Sequence, residues 1–476
     1  MKYKSSRTKI IATVGPVTFD KTMLRKMFEA GVNVIRINFS HCDYEQAART
    51  IQDVRDLNKE FDVNVALLAD LQGPKLRVGD IENDEVFLEK DQILEFVSEK
   101  CIGNAEKVYM SYEEFPQDVK QGDLILIDDG KLKLEVIETN GQNSVKAKVI
   151  YGGMLRSRKG VNLPNTDISL PSLTEKDIAD AEFALSQNVD WLALSFVRAA
   201  SDVIELKQLI KRKKKKVSVI SKIEKKQAVS NLKEIIAETD AIMVARGDLG
   251  VEVSFDTVPL LQKDIVKQCI DAAVPVIIAT QMMESMIENF RPTRAEANDV
   301  ANAVLDGVDT VMLSGETSVG KFPIETIENM HKIIQYTEKE RYKYNQGTPP
   351  TPESKRFLRD NICYSASIMA ERVGAKAIIT FSEKGSSAKT ISGYRPKADI
   401  YAFTRQEKLL SVLSLLWGVR GIYYEEPDNI DEAIKKSINI LKNKGCLKPG
   451  DRVIHVASTP LSVGHKTNML KVTKVQ

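Results

Sequence analysis

The sequence predicts an α/β protein: a (β/α)₈ TIM barrel with an inserted antiparallel β-barrel lid domain and a C-terminal α/β domain. Three observations carry that prediction. Eight short apolar, β-rich runs alternate with helical-period segments through most of the first 345 residues. That rhythm breaks between Lys75 and Leu170, where apolar and polar residues alternate with period two. A proline-rich stretch from Gly347 to Pro352 then leads into a third unit of alternating helix and strand. A length of 476 residues, at roughly 150 per domain, also asks for about three domains.

The eight runs are Lys9 to Val14, Val32 to Asn38, Val65 to Asp70, Trp191 to Ser195, Val217 to Ser221, Ala241 to Ala245, Pro275 to Ala279 and Thr310 to Leu313. Most precede an amphipathic segment, such as Asp20 to Ala30 or Asp256 to Ala273, and eight β/α units predict a closed barrel. In the interruption, strands are expected at Glu85 to Leu88, Gln92 to Val97, Leu124 to Ile127 and Lys131 to Ile137. The turn signals Asp129-Gly130, Asn140-Gly141 and Gly152-Gly153 separate short strands, as in an antiparallel barrel or sandwich. Gly73-Pro74 and Leu170-Pro171 bracket this segment, so it reads as an insertion after strand three, able to move as a lid. The expected domains are therefore 1–74 with 171–346 (barrel), 75–170 (lid) and 347–476 (C-terminal unit). In the last, strands are expected near Ala377 to Phe381, Asp399 to Phe403 and Val453 to Ala457.

Composition narrows the function. Apolar residues make up 43% and charged residues 28%, the profile of a folded soluble chain. Lys and Arg total 68 against 66 Asp and Glu, and a net charge of +2 gives no global attraction to nucleic acid or to a membrane surface. The run Lys211 to Lys216 reads as the end of a barrel helix, where cations meet the negative end of the dipole. Four histidines and five cysteines are scattered without a C-x-x-C, so zinc and iron-sulfur clusters are not expected and a catalytic metal should be a hard ion on carboxylates. The odd cysteine count fits a reducing compartment, and a cytoplasmic location is expected. Ile10 to Val14 is too short for a signal core, and no run approaches the apolar length of a membrane span.

Barrel enzymes of this kind carry their chemistry at the C-terminal ends of the strands. Here those ends read Arg36-Ile37-Asn38-Phe39-Ser40-His41, Asp70, Ser195, Lys222-Ile223-Glu224, Arg246-Gly247-Asp248, Thr280 and Ser314-Gly315-Glu316. Glu224 and Asp248, from adjacent strands, can share a divalent ion such as Mg²⁺ or Mn²⁺; an acid/base pair is the competing reading. Lys222 beside them favours a site that neutralises an anionic substrate. Gly247 and Asp248 open a helix, where backbone N–H groups suit a carboxylate or phosphate. Together these features suggest phosphoryl transfer.

The strings Thr8 to Thr18 (TKIIATVGPVT), Arg36 to His41 (RINFSH), Ile220 to Glu224 (ISKIE), Met243 to Gly250 (MVARGDLG), Ala279 to Met286 (ATQMMESM), Arg291 to Glu296 (RPTRAE) and Met312 to Thr317 (MLSGET) closely resemble pyruvate kinases, in order over almost the entire chain. The resemblance implies phosphoryl transfer from phosphoenolpyruvate to ADP, giving ATP and an enolpyruvate that is protonated to pyruvate. It implies Lys222, Thr280 and Arg36 as catalytic residues. Arg36, Lys222, Gly247, Asp248, Thr280 and Ser195 would contact the substrate, with Glu224 and Asp248 as Mg²⁺ ligands. Asn38, His41, Arg77 and the lid's Lys159 would face the nucleotide. Because a threonine hydroxyl is a poor acid, protonation at Thr280 is expected to run through water to Ser314 or Glu316.

One departure stands at the lid hinge, Asp70-Leu71-Gln72-Gly73-Pro74-Lys75-Leu76-Arg77-Val78. Many relatives have glutamate at the place of Lys75 and hold K⁺ on residues matching Asn38, Ser40, Asp70 and the carbonyl of Leu71. Here the Lys75 ammonium can supply that charge, so K⁺ is expected to be dispensable. The resemblance also implies a homotetramer and a phosphorylated effector, a sugar phosphate or nucleotide, bound at Ser382, Lys384, Ser386 and Ser387. Two other readings stay open: a Mg²⁺-dependent enolate-handling lyase and a catalytically idle scaffold.

Overall fold

In the computed structural model, which describes residues 4, 6–164, 166–340, 344, 348–353, 356–425, 429–459 and 467–476, eight parallel strands close into a barrel. They are β1 (Lys9–Thr13), β2 (Val34–Asn38), β3 (Ala66–Asp70), β4 (Trp191–Leu194), β5 (Ser218–Ile223), β6 (Ala241–Ala245), β7 (Val276–Ala279) and β8 (Thr310–Leu313). Each pairs with its neighbours in sequence order, and β8 returns to β1 with Lys9 opposite Thr310. β5 runs two residues beyond the expected end because Lys222 and Ile223 continue the ladder opposite Met243 and Val244. Burial explains the unbroken apolar runs: one face of each strand packs against the helices, the other fills the barrel.

The helices end where local chemistry asks. Asp20 caps Lys21–Ala30 through the Thr22 N–H, and Gly31 closes that helix at φ 102°. Thr174 and Thr293 form capping boxes with Asp177 and Glu296. The helix Ala200–Arg212 does end in Lys211 and Arg212, as its charge pattern suggested.

The inserted strands surround a separate core, from Leu76 to Leu163. Hydrogen bonding divides them into a six-stranded sheet and a ribbon of Glu85–Leu88 with Gly153–Arg156. One pair in the larger sheet, Ile93–Val97 with Lys107–Tyr109, is parallel. The insertion's entry turn requires glycine at position 73: φ is +70°, and a Cβ there would sit 2.8 Å from the side chains of Phe196 and Ser195.

The C-terminal unit has a five-stranded sheet in the order Val419–Tyr423, Asp399–Thr404, Ala377–Phe381, Arg452–Ala457, Met469–Lys474, the last strand antiparallel. The linker expected from Gly347 begins outside the described residues. This unit plugs the N-terminal end of the barrel. Leu415 joins the interior layer with Ile11, Leu68 and Met243. Arg395, 1% exposed, donates to the Gly307 carbonyl, pairs with Asp309 at 2.7 Å and lies over the Trp417 ring. The opposite, C-terminal rim carries the polar residues.

Candidate active site

Five strand ends converge on one buried network. Arg36, at the end of β2, donates from Nε to Asp70 Oδ2 at 2.7 Å and from Nη1 to Thr13 Oγ1 at 2.9 Å. Lys222 Nζ lies 2.7 Å from Ser195 Oγ, 3.0 Å from Glu224 Oε1 and 3.3 Å from Asp70 Oδ1. The N–H of Phe196 donates to the other Glu224 oxygen at 2.6 Å. Burial alone would lower the pKa of Lys222, but Asp70 and Glu224 outweigh it and keep the ammonium charged. For Asp70 the same burial is overcome by Lys222 and Arg36, and its carboxyl titrates below the usual range. Glu224 goes the other way. Burial pushes it up and the nearby Asp248 adds to the rise, against the pull of Lys222. Two adjacent carboxylates with such an unfavourable charge balance suit a divalent cation.

Asp248 makes no ion pair or side-chain hydrogen bond among the described residues. No cluster of three or more His, Cys, Asp or Glu side chains suited to a metal occurs among them either. A bound ion would take two protein carboxylates and leave its other positions to water and substrate oxygens, which fits Mg²⁺.

Across the rim, Thr280 follows β7 at φ +68°, an uncommon conformation for a β-branched residue. Two contacts hold it there: the Gly247 N–H donates to Thr280 Oγ1 at 2.7 Å, and Arg246 Nη2 donates to the Thr280 carbonyl at 2.7 Å. Arg246 also pairs with Asp299 at 2.7 Å, so this cation supports the strained turn. Thr280, Gly247, Asp248, Ser314 and Glu316 line one cleft of about 900 Å³, and Lys75 borders it from the insertion. Burial raises the pKa of Glu316, although its carboxylate accepts N–H groups of Ser314 and Met283.

The nucleotide candidates lie at the end of β2 and in the insertion. His41 sits at the rim, its pKa depressed first by desolvation and then by the cations Arg77, Lys75 and Arg36. Arg77 bridges to Gly160 in the insertion and donates to the Arg158 carbonyl. Lys159 is held by Asp128 at 3.0 Å. Asn38 accepts the Ser40 N–H, while the Leu71 carbonyl accepts the Ser195 hydroxyl at 2.6 Å. Lys75 is exposed on the cleft's edge, and Asp70 takes its charge partners from Arg36 and Lys222 instead.

The remaining candidates lie far along the chain, in the C-terminal unit. Ser382 and Ser386 are half-buried and Lys384 is exposed. The Ser382 hydroxyl accepts the Gly385 N–H, and the buried Ser387 hydroxyl is 2.7 Å from that of Thr467. Sequence reasoning passed over Phe196, Asp128, Lys225 and Glu252, all of which support site residues. Phe196, next to Ser195, and Lys225, next to Glu224, carry a positional hint; Asp128 and Glu252 carry none.

Comparison with known proteins agrees with this arrangement. Residues 5–327 match the family model of the pyruvate kinase barrel domain, and residues 360–473 match that of the pyruvate kinase alpha/beta domain. A pyruvate kinase of Geobacillus stearothermophilus is 40% identical over 468 residues, covering 98% of this chain and 80% of that protein. One from Clostridium perfringens is 40% identical over 474 residues, covering 98% and 100%. The crystal structure of a pyruvate kinase from Cryptosporidium parvum matches at a TM-score of 0.92 with 35% identity, over 98% of this chain and 96% of that one.

Proposed function

The chain belongs to the pyruvate kinase family, and from that premise we propose how its rim residues move a phosphoryl group from phosphoenolpyruvate to ADP. The observation that carries the reading is the half-buried Lys222 ammonium, bonded to Ser195, Glu224 and Asp70 beside Asp248. Lys222 and Arg36 bind the phosphoryl oxygens, and Lys222 faces the enolate oxygen as its bond to phosphorus breaks. Mg²⁺ or Mn²⁺ on Glu224 and Asp248 would supply Lewis-acid neutralisation of the same oxygens. The Asp248 N–H binds the substrate carboxylate, joined by the Gly247 N–H when it leaves Thr280 Oγ1. Thr280 is then free to order water against the enolate carbon. The proton that this water delivers is relayed through Ser314 or Glu316, which line the same cleft as Thr280.

The same reading extends to the finer assignments. The lid, residues 75–170, brings Lys159 from Asp128 to the nucleotide phosphates, with Asn38, His41 and Arg77 on the barrel side and hinge. The barrel comprises 1–74 and 171–346, and the regulatory unit 347–476. Lys75, which borders the cleft where many relatives have glutamate, supplies positive charge in place of K⁺. A phosphorylated effector binds at Ser382, Lys384, Ser386 and Ser387; saturation curves that no sugar phosphate or nucleotide shifts would refute it. A homotetramer and a cytoplasmic location follow from family membership, and no described helix is long and apolar enough to cross a membrane. Pyruvate release that needs ADP tests the reaction. Release from a larger keto acid without nucleotide would identify a lyase instead.

A further inference from the structure

We propose that Lys225, Glu252 and Asn162 form a latch that fixes the base of the lid to both elements carrying the metal carboxylates, with Glu252 as a positioning residue. Lys225 Nζ lies 2.6 Å from Glu252 Oε1, and Asn162 Nδ2 donates to the same oxygen at 3.0 Å. Both charged residues are buried, Lys225 at 8% exposure and Glu252 at 4%. A single oxygen thus joins three chain segments. Lys225 directly follows Glu224, and Glu252 lies on the helix Arg246–Glu252, one turn beyond Asp248. Asn162 belongs to the short strand Val161–Asn162, which pairs with Leu126 and Ile127 three residues beyond Lys159.

The latch also touches the support of Glu224. Lys225 Nζ is 5.9 Å from the centre of the Phe196 ring, and Phe196 donates its N–H to Glu224. Two weaker fastenings run beside it, Gln227 to Asp167 at 2.9 Å and Arg198 to the Ile168 carbonyl at 2.7 Å. A buried carboxylate without a cation is strongly disfavoured, so Glu252 holds Lys225 in place and each defines the other's position. Breaking the pair loosens the lid base and lets the helix bearing Asp248 shift relative to Glu224. Breaking only the Asn162 arm loosens the lid and leaves the two carboxylates where they are.

This deepens the functional reading and rests on Glu224 and Asp248 as the metal ligands. The test uses the full chain, with Lys225→Met, Glu252→Gln, Asn162→Ala and the conservative Lys225→Arg. Hydrogen exchange of residues 159–168 is measured without ligand, and Mn²⁺ binding is measured by the loss of free-ion paramagnetic signal. Lys225→Met and Glu252→Gln are expected to accelerate exchange in that segment about tenfold, since the first removes the charge-assisted hydrogen bond and the second leaves its acceptor neutral. They should also weaken Mn²⁺ binding about tenfold, the loss typical of disturbed outer-shell partners. Asn162→Ala should match the exchange effect with Mn²⁺ affinity retained, and Lys225→Arg should restore both. Unchanged exchange in the first three variants, or acceleration spread evenly over the barrel strands, would overturn the proposal. Glu224→Gln separates the two ideas: wild-type Mn²⁺ binding there defeats the metal assignment, while the ligand-free exchange result still decides the latch.

Discussion

Replacing Asp70 with asparagine isolates the charge that organises the site. Its carboxylate, 1% exposed, lies 2.7 Å from Arg36 and 3.3 Å from Lys222. At an effective dielectric near 20, Coulomb attraction at these distances is about 6 and about 5 kcal/mol, upper bounds because burial of all three groups opposes it. Breaking a buried pair by removing one partner costs about 3–5 kcal/mol, and since Lys222 keeps Glu224 we take the lower end, about 3 kcal/mol. For a barrel of this size that is a fall of roughly 6–12 °C in the melting temperature. The folded pKa of Asp70 lies below its ordinary 3.8, so its contribution is present above that value and is lost as pH falls through the folded pKa. The gap between wild type and Asp70→Asn, followed by thermal unfolding at matched scan rates, should be constant from about pH 5 to 8 and close on acidification. Catalysis should fall with it, by about a hundredfold in kcat/KM for phosphoenolpyruvate, because Arg36 and Lys222 lose their alignment. A variant that melts with the wild type at pH 7, or a gap that widens in acid, would refute the reasoning.

Four further perturbations address other parts of the molecule. Thr280→Val keeps the branched shape but removes the hydroxyl, and should slow exchange of the C3 hydrogens of pyruvate with deuterated water by about a hundredfold or more; exchange at the wild-type rate excludes Thr280 from protonation. Arg395→Met leaves Asp309 buried without its cation and should destabilise the joint between barrel and C-terminal unit by about 3–5 kcal/mol, read by denaturant unfolding; an unchanged midpoint contradicts the plug's electrostatic role. Replacing K⁺ by a bulky organic cation at fixed ionic strength should cost the wild type less than about tenfold in rate if the Lys75 ammonium takes over the charge of K⁺, since two cations drawn to one site repel each other. Lys75→Glu should acquire a K⁺ requirement, and a K⁺-insensitive Lys75→Glu would argue against the substitution of one cation by the other.

The barrel was readable because burial on both faces forces continuous apolar runs, and each observed barrel strand overlaps its run closely. β5 extends past its apolar run because Lys222, polar in sequence, completes the ladder with its ammonium at the rim. Val419–Tyr423 and Met469–Lys474 carry no apolar run for a related reason: both are edge strands with polar or small residues, such as Arg420, Gly421 and Lys471, in place of apolar ones. Site identities could be inferred from their place at strand ends, but their pairings could not. Asn162 meets Glu252 across 90 residues and Arg395 meets Asp309 across 86, separations that leave no local pattern. The positive φ of Thr280 runs against its residue preference and emerges only from the contacts that hold it.

The central claim is that Lys222, between Asp70 and Glu224, stabilises the charge that moves from phosphoenolpyruvate to ADP. The most direct measurement quantifies ATP and pyruvate together from phosphoenolpyruvate, ADP and Mg²⁺, with Lys222→Met alongside the wild type. The account predicts ATP and pyruvate in equal amounts from the wild type, and a rate at least about a hundredfold lower from the folded variant, as for loss of a preorganised donor. Pyruvate without matching ATP, or a Lys222→Met protein that turns over at the wild-type rate, would contradict it.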